Sequence, residues 1–483
     1  MSAWEAVIGL EIHSQLKTKT KIFATDPYQY GELANTQAGP VTLALPGVLP
    51  VLNQEVLDLA ILAGLALNCK IAEITKFDRK HYFYPDLPKA YQISQYDMPY
   101  AVDGRVEYAI PKTQGEHLVR IHRIHMEEDA GKLLHSHHPD MQVSYVDLNR
   151  AGVPLIEIVT EPDLRTSTEA YYFLATLRNI LRYVSVTDGN MEEGSLRCDA
   201  NVSVRPGPDA PFGTRVEIKN LNSFRAVQAA IDYEIERQID VLESGGQVIQ
   251  STVLWDADAR VTRLMRTKED AEDYRYFPEP DLPPFYIAPA KVKKIANSMP
   301  ELPDAKRKRY EAEYQLPPYD AAVLTQEKEI AEYFEATVKV CGDPKKSSNW
   351  VKDEVLGVIN KQDIALTDFV CTPARLGRLI QLIASGDLTS KMAKQVFEHI
   401  YTDDMDVDAI IQKHGYKQMD NAELPALVNK LMAAHPDNVT KIKGGNERVK
   451  GFFVGQIMKA TRGQANPGEL NRLIDEWLQK STS

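Results

Sequence analysis

Cysteine is scarce in this chain, with four residues in 483. Cys69, Cys198, Cys341 and Cys371 stand far apart and form no CxxC pair. That excludes a disulfide framework and a cysteine-rich zinc cluster, and it fits a reducing compartment. Long apolar runs are missing too: no stretch of roughly 18 apolar residues is available to cross a bilayer. The start, Met1-Ser2-Ala3-Trp4-Glu5, has neither the basic patch nor the apolar core of a signal peptide. A cytoplasmic protein without membrane contact is expected. Standard nucleotide loops are also absent. No GxGxxG follows a strand, and Gly131-Lys132 fails as a Walker A loop because Leu133 replaces Ser or Thr and Met126 replaces the first glycine. No GxSxG elbow marks a serine nucleophile, and no cysteine has a local activating signature.

What is present is an ordinary globular composition, 43% hydrophobic and 26% charged. At this length about two to four domains are expected, each with its own core. The net charge of -12 excludes a protein that coats nucleic acid indiscriminately. One stretch runs against that balance. Lys441, Lys443, Arg448, Lys450, Lys459 and Arg462 face the single acid Glu447. Such a local basic surface binds phosphates while the remainder stays acidic, although a solvated basic helix face would read the same way.

Two short segments carry chemistry. In Gly9-Leu10-Glu11-Ile12-His13-Ser14-Gln15-Leu16, Ile8, Leu10 and Ile12 alternate with Glu11, His13 and Gln15. A strand would bury the first set and present carboxylate, imidazole and amide on its other face. In His125-Met126-Glu127-Glu128-Asp129-Ala130-Gly131-Lys132, three acids precede a Gly-Lys pair. Mg²⁺ takes one or two carboxylates together with phosphate oxygens and water. The alternative is a solvated edge strand and a charged turn. Six histidines (His117, His122, His125, His135, His137 and His138) match no zinc signature, so a solvated hairpin is expected there.

Up to about residue 290 the texture is strand-like. Leu196, Cys198, Ala200, Val202 and Val204 alternate with Arg197, Asp199, Asn201, Ser203 and Arg205. Similar alternation marks 155–160 and 215–220, while helical periodicity marks 53–67, 167–183 and 223–244. Without regular βαβ alternation this predicts an α+β, largely antiparallel domain. The proline-rich stretch 277–284 closes it. Helices dominate afterwards: Thr372-Pro373 starts one and Gly386 ends it, and Asn466-Pro467-Gly468-Glu469 starts another. The acidic segment 403–408 is a plausible hinge between two helical units.

Together these segments resemble one family, the GatB chains of the tRNA-dependent amidotransferases (the GatCAB complexes). The resemblance runs through residues 9–16, 76–86, 125–132, 146–150, 191–201, 217–224, 273–280, 455–461 and 463–467, and so covers essentially the whole chain in order. It implies a cradle domain over 1–292 carrying kinase and transamidase chemistry, a helical domain over 293–405, and a YqeY-like, tRNA-binding tail over 406–483. It implies ATP-dependent phosphorylation of the side-chain carboxylate of Glu-tRNA(Gln) and, in many organisms, Asp-tRNA(Asn), followed by amidation. The implied partners are a glutaminase subunit (GatA) that supplies ammonia and a small clamping subunit (GatC), together a heterotrimer. By similarity to the family's metal site, Glu11, His13 and Glu128 are the ligands, with Glu157 and Asp199 completing the shell. Mg²⁺ is implied, and His13 would suit Mn²⁺ better. Lys80 would contact phosphate or the charged tRNA end. The tail cations named above would hold tRNA.

One departure stands out. Many members carry two cysteine pairs that bind zinc near the N-terminus. The matching positions here are Ala24, Asp26, Gly39 and Thr42, so no structural zinc is expected. The loop 28–40 must then be held by packing, with Tyr28 and Tyr30 as candidates. A non-catalytic tRNA-binding scaffold remains the alternative function, and clustered ligands in the first domain would discriminate against it. The archaeal-type relative needs a large insertion for which 286–314 leaves no room.

Overall fold

The computed structural model describes residues 4–480, apart from 112, 114, 116, 136–142, 268–272, 417–422, 444–448, 462–464 and 466. The chain divides into two compact units, one ending at Pro303 and the other starting at Asp304. The first opens with strand β1 (Glu5–Gln15) and helix α1 (Gln54–Ala66). Short strands β2 (Lys70–Ile71), β3 (Ile74–Thr75), β4 (Asp78–His81) and β5 (Tyr91–Ser94) follow. Then come β6 (Ala101–Tyr108), β7 (His117–Glu128), β8 (Lys132–His135), β9 (Ser144–Asp147) and β10 (Pro154–Thr160). Helix α2 (Ser167–Tyr183) precedes β11 (Leu196–Arg205), β12 (Val216–Leu221) and helix α3 (Phe224–Glu243). The unit closes with β13 (Ser251–Asp256), β14 (Val261–Thr267), β15 (Phe277–Pro278), β16 (Phe285–Tyr286) and α4 (Pro289–Ser298).

Nine strands form one sheet in the order β14-β13-β12-β11-β1-β10-β7-β6-β2. Neighbours run antiparallel except β12 and β13, which are parallel and joined through α3. The expected α+β class is therefore observed. The alternation read from β1 is observed as well: Ile8, Leu10 and Ile12 are fully buried. They share a core with Leu57 and Ile61 of α1, Phe173 and Leu177 of α2, and Val227 and Ile231 of α3. The three helices thus cover the apolar face of the sheet and leave the face of Glu11 and His13 for chemistry. Each helix starts where its sequence signals it. The side chain of Asn53 accepts from the Glu55 amide, and Thr166 and Glu169 close a capping box. β1 is a central strand, flanked on both sides, so the solvated-edge alternative for Glu11 and His13 does not hold.

The proline-rich stretch ends the sheet but also pairs back on the domain. Phe277 pairs with Arg79 and Phe285 with Thr75, and buried Glu279 receives Arg79 through two bonds of 2.7 and 2.9 Å. Gly131 has a packing reason rather than a phosphate-binding one. A Cβ there would stand 2.7 Å from the Asp147 carbonyl oxygen.

The loop over 28–40 is held by hydrogen bonds rather than by Tyr28 and Tyr30. Fully buried Lys21 donates to the Gln37 carbonyl at 2.7 Å, and to Thr42 Oγ1 and the Leu148 carbonyl at 3.4 Å each. The Gln37 amide donates to Asn149 Oδ1 at 2.8 Å, and Asn149 Nδ2 to the Leu33 carbonyl at 2.7 Å. Thr42 donates to Asp26 at 2.6 Å, and a Cβ on Gly39 would overlap that same carboxylate, 2.1 Å from its Oδ1. Three of the four positions that match cysteines elsewhere are thus packed as carboxylate, hydroxyl and bare backbone. Tyr30 is half-exposed and takes the Lys132 ammonium over its ring at 5.0 Å.

The second unit is helical: α5 (Pro303–Glu313), α6 (Pro318–Leu324), α7 (Lys328–Cys341), α8 (Pro344–Asn349), α9 (Leu356–Gln362), α10 (Pro373–Ser385), α11 (Ser390–Asp403) and α12 (Val407–His414). It continues with α13 (Leu424–Ala434), α14 (Pro436–Lys443), α15 (Lys450–Ala460) and α16 (Pro467–Lys480). It holds two cores. One runs from Tyr310 to Ile410 and the other from Leu424 to Ile474. The expected boundaries at 292/293 and 405/406 fall inside packed regions. Val292 and Ile295 of α4 pack on the sheet's core, and Val407 and Ile410 of α12 are buried with α10 and α11. The segment 403–408 is not a free hinge, because arginines of α10 tie it down.

Candidate metal and phosphoryl-transfer site

The polar face of the central strands is assembled by register. His13 lies opposite Glu157 on β10 and opposite Arg197 on β11, while Glu157 lies opposite His125 on β7. Because side chains opposite one another share a face, three strands bring two imidazoles and a carboxylate together. His13 Nε2 is 3.3 Å from Glu157 Oε2 and 3.7 Å from Glu127 Oε1. His125 Nε2 is 3.0 Å from Glu157 Oε2 and 3.7 Å from Glu127 Oε2. Ligand atoms of His13, Glu127 and Glu157 all lie within 4.8 Å of one another.

The electrostatics are those of buried, mutually compensating charges. Burial opposes ionisation of Glu157, but the two histidines outweigh it and hold the carboxyl well below its usual range. Burial opposes ionisation of Glu127 too, and His125 and His13 again prevail and lower it. Burial likewise opposes the His125 cation, yet Glu157 and Glu127 push its pKa up to about 9. His13 is raised by Glu157 against its own burial. His125 Nδ1 is buried without a hydrogen-bond partner.

The site residues expected from the sequence divide. His13 and Glu157 are at the centre. Glu11 lies two residues before His13 on β1, accepts from Asn201 Nδ2 at 3.0 Å, and is raised by burial and by the charges of Glu157 and Glu217. Asp199, opposite Glu11 on β11, pairs with Lys219, which also holds Glu217 at 2.9 Å. Lys80 stands near the cluster: burial opposes its charge, but Glu127 and Glu157 hold the ammonium above its ordinary value, and it lies 4.9 Å from the Tyr274 ring centre.

Glu128 lies elsewhere. Side chains alternate along β7, so His125 and Glu127 share the metal-facing side and Glu128 leaves it. Its carboxylate accepts from Lys89 Nζ at 2.6 Å and from the Ile93 amide at 2.9 Å, beside a cavity of about 280 Å³. Glu127 is the member of the acidic run that meets His13. Asp129 accepts from Gln15 at 2.9 Å and Arg197 at 2.7 Å, which joins the two sequence motifs directly. The expectation of a solvated histidine hairpin fails for His125, which is 4% exposed. His117 and His122 do pair with surface acids, Glu169 at 3.7 Å and Glu161 at 2.9 Å. His137 and His138 lie outside the described residues. The signal for Glu127 and His125 is the period of two in His125-Met126-Glu127, once that segment is taken as strand rather than turn.

Beside Glu11 a cleft of about 160 Å³ is lined by Asn201, Arg215, Glu217, Gln250, Thr252 and Arg266. Two guanidinium groups next to a carboxylate-rich centre suit a polyphosphate. In the tail, Lys441 and Lys459 are exposed, whereas Lys450 is paired with Asp475. The Lys443 side chain, Arg448 and Arg462 lie outside the described residues.

Fold and site together describe an antiparallel cradle with an internal polar centre, followed in the chain by helical cores. A family model for the GatB/GatE catalytic domain matches residues 6–293, and one for the GatB domain matches 332–478. The chain is 53% identical over 472 residues to the GatB chain of the aspartyl/glutamyl-tRNA(Asn/Gln) amidotransferase of Leptospira biflexa, covering 98% of this chain and 97% of the relative. Chains of the same name are 50% identical in Thermosynechococcus vestitus (98% and 96% covered) and in Carboxydothermus hydrogenoformans (99% and 100%). The chain belongs to the GatB family of tRNA-dependent amidotransferase subunits.

Proposed function

We propose that this chain is the ATP-dependent subunit that converts the side-chain carboxylate of Glu-tRNA(Gln) or Asp-tRNA(Asn) into an amide. The observation that carries this reading is the convergence of His13, Glu127 and Glu157 on the polar face beside a cleft with two arginines. A carboxylate resists ammonia because oxide is a poor leaving group. Transfer of the γ-phosphoryl group of ATP to the carboxylate oxygen releases ADP and leaves an acyl phosphate. Attack of ammonia at the carbonyl carbon then expels phosphate, and the nitrogen gives up a proton.

The residues present fit a hard divalent ion. Glu127 and Glu157 supply ionised oxygens, His13 an imidazole nitrogen, and Mg²⁺ or Mn²⁺ accepts that set. A bound ion would neutralise phosphate charge there. Arg215 and Arg266 are placed to hold phosphate oxygens. The Lys80 ammonium, kept charged by its carboxylate neighbours, stabilises negative charge on the acyl phosphate. Glu11 and Asp199 extend the acidic rim, with Lys219 between Asp199 and Glu217.

Nitrogen arrives from outside. Cys69, Cys198 and Cys371 are buried thiols, with burial pushing Cys69 and Cys371 up to about 12 and Cys198 well above its usual value. None of those three is an activated nucleophile for glutamine hydrolysis. A glutaminase subunit and a small clamping subunit are therefore the proposed partners, and the tail contributes tRNA affinity. The test is to assemble the complex and assay each misacylated tRNA with ATP, following ADP release and amide formation. Full turnover with Glu157→Gln would overturn the reading and favour a scaffold.

A further inference from the structure

The turn after α11 carries four acids in six residues, Asp403-Asp404-Met405-Asp406-Val407-Asp408. Arginines of α10 take three of them. Arg375 donates to Asp404 at 2.7 Å and to Asp406 at 3.2 Å, and Arg378 to Asp408 at 3.0 and 3.1 Å. Asp403 is held differently. Its Oδ2 faces His399 Nδ1 at 3.4 Å and Lys413 Nζ at 3.7 Å. From α12, His414 lays its ring on that of His399, with centroids 4.0 Å apart and planes 21° from parallel. One ligand atom from each of His399, Asp403 and His414 lies within 4.8 Å of the other two.

We propose that His399, Asp403 and His414 form a binding site for a divalent transition-metal ion of the zinc class, one that staples α12 to α11. His399 and Asp403 are four residues apart on one helix and so project from the same face. The third ligand comes from the next helix, so an ion held by all three closes a cross-link. Two imidazoles and one carboxylate are a borderline-soft donor set that selects Zn²⁺, Ni²⁺ or Cu²⁺ over Mg²⁺. It therefore differs in preference from the carboxylate-rich centre on the sheet. Drawing the donors in to about 2.0–2.1 Å from an ion needs only side-chain rotation. The side chains of His399 and Asp403 are about one-third exposed, at 30% and 31%, and His414 is exposed. Lys413 competes for Asp403, but it also reaches Met405 Sδ at 3.6 Å and can be displaced. The staple falls where packing is thin: only Val407 and Ile410 of α12 are buried.

The probe is Zn²⁺ alone, added at micromolar concentration to the full-length chain in excess Mg²⁺. Bound zinc is counted, and hydrogen exchange is followed in peptides covering 399–414. The wild type should take up one more zinc ion than His414→Ala or His399→Ala, with zinc-dependent slowing of exchange in α11 and α12 that both variants lose. Circular dichroism confirms that the surface substitutions leave the helices intact, and Asp403→Asn should weaken the uptake without abolishing it. Equal zinc counts for wild type and both variants, with exchange over 399–414 unchanged by zinc, would overturn the proposal.

Discussion

His13 and Glu157 face one another across the β1–β10 ladder, imidazole Nε2 to carboxylate Oε2 at 3.3 Å. The two residues are 144 positions apart in sequence, and only the antiparallel register brings them together. Glu157→Gln keeps the shape and removes the charge. In the assembled complex it should lower tRNA-stimulated ATP turnover on the order of a hundredfold or more, the scale of losing a charged group at a phosphoryl-transfer centre. Steady-state ADP release measures it, with Mn²⁺ titration as a second readout of lost affinity.

Glu128 should behave differently from Glu127. Glu127→Gln should weaken Mn²⁺ binding, whereas Glu128→Gln should leave it unchanged and lower the melting temperature instead. The Lys89 ammonium and the Ile93 amide would lose the ionised carboxylate that accepts from both. Leaving a buried charge without its partner costs about 3–5 kcal/mol. Equal losses of metal affinity in both variants would show that the alternation of β7 does not decide which acid serves the site.

These two carboxylates also show what the sequence can reveal and what it cannot. The face of β1 is legible because its apolar and polar residues alternate without interruption, and the caps of α1 and α2 are legible because capping is local. The acidic run in β7 reads as a turn because three charges together look solvated; pairing with β10 makes two of them strand residues instead. That β10 lies between β1 and β7 is a property of the whole sheet, which no local pattern encodes. His125 is hidden among surface histidines for the same reason. The domain limits are blurred at α4 and α12, whose apolar residues pack backwards on the preceding core.

Lys21 offers a test by pH. Burial draws its pKa down to about 8 from an ordinary 10.5, against the opposing pull of Asp26 and Glu128. Between those values the unfolded chain binds more protons than the native one, so this residue's contribution to stability rises with pH across that window. The stability difference between wild type and Lys21→Met should therefore grow as the pH goes from 8 toward 10.5. Below pH 8 the variant still loses the bonds that pin the loop at Gln37, worth about 1–3 kcal/mol. Denaturant titration at several pH values measures both, and a difference independent of pH would contradict a desolvated ammonium.

The outcome of removing the tail depends on where the chain is cut. Deletion from 406 would strip Val407 and Ile410 from the second core, so the informative truncation ends the chain at Tyr416, beyond α12. That truncated complex should show a raised KM for aminoacyl-tRNA with little change in kcat. Its affinity should also depend less steeply on salt, because fewer phosphates are neutralised without Lys441 and Lys459. Unchanged tRNA affinity with lost turnover would assign the tail a different role.

The division of labour over nitrogen yields a further expectation. Cys69, Cys198 and Cys371 are buried and held as thiols, so none of them attacks the glutamine carboxamide. The chain alone should release no glutamate from glutamine, while the assembled complex should. Ammonium chloride should replace glutamine in amide formation, and more effectively as pH rises, because only the unprotonated amine attacks an acyl phosphate. A sheltered route from the partner avoids that protonation and keeps water from the same acyl carbon. Glutamate release by the purified chain, surviving removal of every trace of partner, would place a second active site in this protein.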